Sequence, residues 1–242
     1  MSTDSFPELD SLGQQARKAA RVLQTTDTST KDKALEAICD VILEQQEEIL
    51  QANAQDLEAG RKAGLSAPLL ERLMLSEARL SGIVEGVHDV VRLRDPVGES
   101  FDGRILPNGL RVSKHRVPVG VIGVIYESRP NVTVDIAALC LKSGNAVIMR
   151  GGKEAAKSNR AFADAISAGC EQAGVPAAAA QLVRTPDRGL VLGMLRANEY
   201  IDMIIPRGGP GLHRFAVQNA TIPVITGGIS IGHTYVNQSA DA

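Results

Sequence analysis

Apolar positions recur with two different periods along this chain, and the period changes near residue 117. Through residues 1–95 the spacing is helical. Leu35, Ile38, Cys39, Ile42 and Leu43 fall at i, i+3, i+4, i+7 and i+8, an apolar stripe, with Lys31, Lys33, Glu44 and Glu47 assigned to the opposite, solvated face. Gly60 and Gly64 are expected to break this helix. Ser66 with Pro68 opens another, predicted to run unbroken over residues 69–93 until Asp95-Pro96 stops it.

Residues 97–117 alternate instead. Ile105-Leu106 precedes Pro107-Asn108-Gly109, after which Leu110 and Val112 alternate with Arg111 and Ser113, the pattern of a β-hairpin. One face of this hairpin is charged and large apolar residues are few, so it needs a partner surface. From residue 117 the run VPVGVIGVIY is continuous and β-branched, as in a strand buried on both faces. A helix over 134–142, ended by Ser143-Gly144-Asn145, leads to a second strand at 146–149. A longer helix reaching about residue 173 and short apolar strands at 181–183, 203–205 and 222–225 complete the pattern. Strands alternating with helices predict an α/β fold, a doubly wound parallel sheet with right-handed crossovers. The expected organisation is a helical segment (1–95) packed on a nucleotide domain (118–242), with the hairpin (96–117) between them.

Composition narrows the function classes. Hydrophobic residues make up 44%, charged residues 22% and aromatics 3%, so Val, Ile, Leu and Ala must build the core. A formal net charge of −2 supplies no polybasic field to attract nucleic acid or an anionic membrane. Three widely spaced cysteines (Cys39, Cys140, Cys170) and an N-terminus without an apolar leader segment predict free thiols and a cytoplasmic protein. No metal site is expected.

A parallel sheet gathers its strand ends and the following helix N-termini along one edge, where ligands bind. Three segments expected to leave strands on that edge are unusual. In Tyr126-Glu-Ser-Arg-Pro-Asn-Val-Thr133, the Asn131 amide reads two ways: as a helix cap, or as a donor to a carbonyl oxygen becoming an oxyanion. Arg150-Gly-Gly-Lys-Glu-Ala155 combines two glycines that allow close backbone approach with the cations Arg150 and Lys153. It is neither G-x-G-x-x-G nor a Walker loop, and a solvated connector fits it equally well. Pro206-Arg207-Gly208-Gly209 offers a second candidate phosphate turn, and two on one edge point to a dinucleotide. Gly227-Gly228 follows the last expected strand and lets a flat ligand pass close to the backbone.

Three strings, VPVGVIGVIYESRPNVTVDIAALCLKSGNAVIMRGGKEAAKSN, DMIIPRGG and IPVITGGI, are very similar to the gamma-glutamyl phosphate reductase family in order and spacing. More broadly they resemble the aldehyde dehydrogenases, which have Pro-Trp-Asn where this chain has Arg129-Pro130-Asn131 and Leu-Gly-Gly where it has Thr226-Gly227-Gly228. The resemblance extends over essentially the whole chain. It implies that Asn131 contributes to an oxyanion hole. It also implies that Arg150, Lys153 and Glu154 line the adenosine side of NADP(H), the two cations suiting its 2′-phosphate, that Pro206, Arg207, Gly208 and Gly209 approach the pyrophosphate, and that Gly227 and Gly228 border the nicotinamide.

The reaction implied is reduction of γ-glutamyl phosphate. A cysteine thiolate displaces phosphate, and the thioester accepts hydride from NADPH to give glutamate 5-semialdehyde, the second step of proline biosynthesis. Acid-forming aldehyde dehydrogenases carry a water-activating carboxylate two residues before Gly-Gly. Ile225 stands there, as suits a reductase that must keep water from its intermediate. The chain departs from the family at Ser230 and Gly232. It also ends at Ala242, before the segment expected to carry the cysteine, and Cys39, Cys140 and Cys170 read as core residues on helix faces. The expectation is therefore a catalytic domain missing from this sequence and little activity from the chain alone. The alternatives are a non-catalytic NADP-binding or homo-oligomerising module, or one half of a split enzyme completed by a C-terminal partner.

Overall fold

The computed structural model describes residues 6–187, 189–227 and 232–239. Helices α1 (Pro7–Leu23), α2 (Thr28–Glu44), α3 (Gln46–Lys62), α4 (Ala67–Leu73) and α5 (Glu77–Arg92) precede the antiparallel hairpin β1 (Ser100–Ile105) and β2 (Arg111–His115). Then come β3 (Val121–Tyr126), α6 (Asn131–Lys142), β4 (Ala146–Arg150), α7 (Ala156–Gln172), β5 (Ala180–Leu182), α8 (Gly189–Leu195), β6 (Met203–Arg207) and α9 (Pro210–Asn219).

The predicted doubly wound parallel sheet is present, in the order β5-β4-β3-β6. Helices α6 and α7 pack on one face, and α1, with α8 beside it, on the other. Helices α2, α3 and α5 form an outer layer on α6 and α7. All six β3 residues are buried, as the unbroken apolar run required. One apolar cluster joins Leu9 of α1 to Ile204 of β6, so the first helices share the core of the sheet. At Gly169 an added methyl would fall 2.6 Å from the Ile38 backbone nitrogen, so α2 and α7 meet backbone to backbone.

Five expectations need correction. The helix over Leu35 ends at Glu44 and a new one continues to Lys62, with Gly60 buried inside it; only Gly64, at φ 74°, is a true stop. Lys31 is not on the solvated face: it lies four residues before Leu35, on the stripe itself, and is 1% exposed. Its ammonium is 2.5 Å from Asp95, which also accepts bonds from the Thr28 hydroxyl (2.8 Å) and the Val97 amide (2.9 Å). Leu43, assigned to the stripe, is exposed.

The helix expected over 69–93 is two helices. The buried Asn53 side chain bridges the break, donating to the Leu73 carbonyl and accepting from the Leu75 amide, both at 2.8 Å. Ser76 then caps α5 by accepting the Arg79 amide. Finally, the strand expected at 222–225 is a single bridge between Val224 and Ile204. Pro223 has no amide hydrogen to extend the ladder.

Candidate functional site

The sheet register aligns the three loops. Ile125 pairs with Arg150 and Tyr126 with Arg207, so β3, β4 and β6 end at one edge. Successive strands run outward from β3 through β4 to β5, then the chain crosses back to β6 on the other side of β3. Ligand crevices form where strand order reverses in this way.

A recess between the ends of β4 and β5 is lined by Arg150, Lys153, Arg160 and Arg184 together with Gly151, Gly152 and Asn159; among the described residues no carboxylate lines it. Arg150 donates to its neighbour Gly151 and to the Pro186 carbonyl, bracing the loop after β5. Lys153 opens a 3-10 turn, Lys153–Ala155, that leads into α7. Gly151 is required by close approach: a Cβ there would lie 2.2 Å from Asn159 Nδ2 and 2.9 Å from the Tyr126 ring. Arg160, Arg184 and Asn159 were not singled out from the sequence. For Asn159 a signal existed, because Ser158-Asn159 occupies the apolar stripe continued by Phe162, Ala163 and Ile166, and a polar residue there is buried.

Glu154 does not join this recess. Its carboxylate accepts the Ser128 hydroxyl at 2.7 Å and faces a neighbouring cleft with Glu127, Arg129 and Leu69. The turn after β6 meets another carboxylate: Glu127 Oε1 accepts the Gly209 amide at 2.9 Å, and the Glu127 amide donates to the Arg207 carbonyl. Pro206 is buried within β6 and pairs with Ile125.

Asn131 begins α6 and makes no cap bond; its amide donates 3.0 Å to Asp135 one turn on. It lies on the wall of a cleft of about 590 Å³ shared with Arg129, Asp135, Arg72 of α4, Arg79 of α5, and Met74 and Leu75 of the link between those helices. Burial pushes the Asp135 carboxyl up, and the Asn131 amide and the Arg207 charge oppose that shift. Gly227 is exposed, Ile225 is 52% exposed and donates its amide to Ile204, and Gly228 and Ser230 lie outside the described residues. Cys39, Cys140 and Cys170 are all buried free thiols pushed up to about 12 by burial, so none of them is a thiolate at neutral pH.

Residues 4–221 match the aldehyde dehydrogenase family. The chain belongs to that family. Curated relatives within reach include the gamma-glutamyl phosphate reductases of Chloroflexus aggregans, 54% identical over 97% of this chain and 56% of the relative, and of Vibrio vulnificus, 51% identical with the same coverage. The chain thus spans about half the length of these relatives. Crystal structures of gamma-glutamyl phosphate reductase from Thermotoga maritima (TM-score 0.88, 42% identity, 90% of this chain and 52% of that one) and Saccharomyces cerevisiae (0.83, 35%, 93% and 56%) share the fold. An acetylating aldehyde dehydrogenase of Geobacillus thermoglucosidasius, at 20% identity and TM-score 0.71, shares the fold alone. Among the described residues no helix is long and apolar enough to cross a membrane.

Proposed function

We propose that this chain is the nucleotide-binding part of a cytoplasmic NADPH-dependent reductase that converts γ-glutamyl phosphate into glutamate 5-semialdehyde and phosphate. The observation that carries this reading is the 54% identity to a gamma-glutamyl phosphate reductase along nearly the whole chain. The recess between β4 and β5 supports the cofactor reading: among the described residues its lining carries Arg150, Lys153, Arg160 and Arg184, the last paired with Asp164, and no carboxylate, a lining that suits a phosphate monoester, and the Gly151-Gly152 turn gives a nucleotide close access to backbone. Bound NADPH would supply the hydride. Arg150 and Lys153 would hold its 2′-phosphate, the Pro206–Gly209 turn its pyrophosphate, and Gly227 with Gly228 the nicotinamide rim. Glu154, tied to Ser128, would act at the neighbouring cleft rather than on the phosphate.

Asn131 would turn its amide from Asp135 to the reacting carbonyl oxygen, stabilising negative charge as it develops there. The exposed apolar side chain of Ile225 presents no base to activate water against an acyl group. The reaction also needs a thiolate, which the three buried cysteines do not provide. A complementing segment or chain would supply it, and the solvent-exposed β1–β2 hairpin is suited to docking such a half or a second copy.

Calorimetric titration with NADPH and NADH tests the cofactor assignment. The folded chain should bind NADPH, and replacing both Arg150→Ala and Lys153→Ala should weaken NADPH more than NADH. Absence of binding at millimolar NADPH overturns it. Glutamate 5-semialdehyde, phosphate and NADP mixed with this chain alone should form no NADPH above background.

A further inference from the structure

The cationic recess contains one neutral donor whose position the cations do not explain. Asn159 is 2% exposed, yet it lines the recess. Its carbonyl oxygen accepts the Thr133 hydroxyl at 3.0 Å, and Thr133 is bonded in turn to the Tyr126 hydroxyl at 2.7 Å. Thr133 has a single hydrogen and gives it to Asn159, so Tyr126 donates to Thr133. This chain of bonds fixes the amide: with Oδ1 turned to Thr133, Nδ2 points toward Gly151, where an added methyl would fall 2.2 Å away. Among the described residues Nδ2 has no hydrogen-bond partner. Nor is Nδ2 a sealed, unsatisfied atom among those residues, so a ligand or water entering the recess can accept from it.

The helix below offers no alternative seat. An anion in a strand-to-helix turn usually takes the first amides of the helix. Here Asp56 of α3 already accepts the Lys157 amide (3.2 Å) and the Ser158 amide and hydroxyl (2.8 and 2.7 Å). With those helix amides taken, the donors left to an anion in the recess are the lining side chains and the Gly151-Gly152 backbone.

We propose that Asn159 is a specificity-determining residue, its Nδ2 donating to an oxygen of the 2′-phosphate that Arg150 and Lys153 attract. The inference rests on the cofactor reading above. Tyr126 and Thr133 are positioning residues that hold the amide in this orientation. The cations supply attraction, and the oriented amide adds a bond that is charge-assisted, and so stronger, to a phosphate monoester oxygen than to a ribose hydroxyl.

The test uses Asn159→Asp, which keeps the oxygen that Thr133 reaches and replaces the donor by a carboxylate oxygen. NADPH, NADH, 2′-AMP and 5′-AMP are titrated calorimetrically into the unaltered chain and the variant, with circular dichroism confirming the fold. Affinity for NADPH and 2′-AMP should fall about tenfold or more, while NADH and 5′-AMP change about twofold or less. If Asn159→Asp does not fold, Thr133→Val and Thr133→Ser replace it: Val should lose the preference for NADPH over NADH and Ser should keep it. Equal losses for both dinucleotides, or no loss, overturn the assignment to the 2′-phosphate. Failure of the unaltered chain to bind either dinucleotide instead overturns the cofactor reading, and this inference with it.

Discussion

Asp56 of α3 accepts both the amide and the hydroxyl of Ser158 in the first turn of α7, so one helix caps another that begins 100 residues later in the chain. The carboxylate satisfies amides that the start of α7 leaves without helical partners. Asp56→Ala should cost about 2 kcal/mol, as for the loss of a strong cap, and Asp56→Asn less because one acceptor remains. Urea unfolding followed by circular dichroism reads this directly. An unchanged midpoint for Asp56→Ala contradicts the cap.

The Lys31–Asp95 pair ties α2 to the segment after α5. Removing one partner leaves a buried charge uncompensated, so Lys31→Ala should destabilise by about 3–5 kcal/mol. For Asp95, burial raises the carboxyl, but bonds from Lys31, Val97 and Thr28 outweigh it and hold the group below 3.8. A depressed carboxyl contributes stability that is present above its unfolded value and lost as pH falls through the folded one. Melting temperatures compared at pH 7 and pH 3 should therefore drop less for Asp95→Asn than for the unaltered chain. An equal drop removes Asp95 from the acid sensitivity.

The Asn131 amide holds the Asp135 carboxyl down against burial. Asn131→Ala should raise the Asp135 titration further, so that it gains its proton at higher pH than in the unaltered chain. Carbon-detected NMR of the side-chain carboxyl through a pH series measures the shift. A downward movement would mean that the hydrogen bond does not govern this group.

All three cysteines should resist modification. At pH 7 their thiols stay protonated and covered, and iodoacetamide reacts with the thiolate. Mass spectrometry should find the folded chain unlabelled under conditions that label three sites in denaturant. Rapid labelling of Cys140 in the folded chain would show that α6 opens.

The sequence by itself determined the class of fold and the order of its parts. Buried parallel strands need unbroken apolar runs such as 121–126, and Asn108-Gly109 specifies a tight turn; both signals are local, and both elements formed. The Arg150-Gly151-Gly152-Lys153 loop was legible for the same reason, since glycine and charge stand out in any window. Tertiary structure decided what each polar group does. Lys31 is buried because Asp95, 64 residues away, neutralises it; the helices over 69–93 divide where Asn53 reaches their backbone. Glu154 turns to Ser128 and away from the cation-lined recess. Periodicity marks Asn159 as a buried polar residue, but only Thr133 and Tyr126, 26 and 33 residues away in the chain, orient its amide against Gly151. Apolar burial is roughly proportional to area and leaves a periodic trace along the chain. A hydrogen bond or ion pair depends on two atoms meeting at about 3 Å, and that meeting is set by packing between segments the sequence keeps far apart.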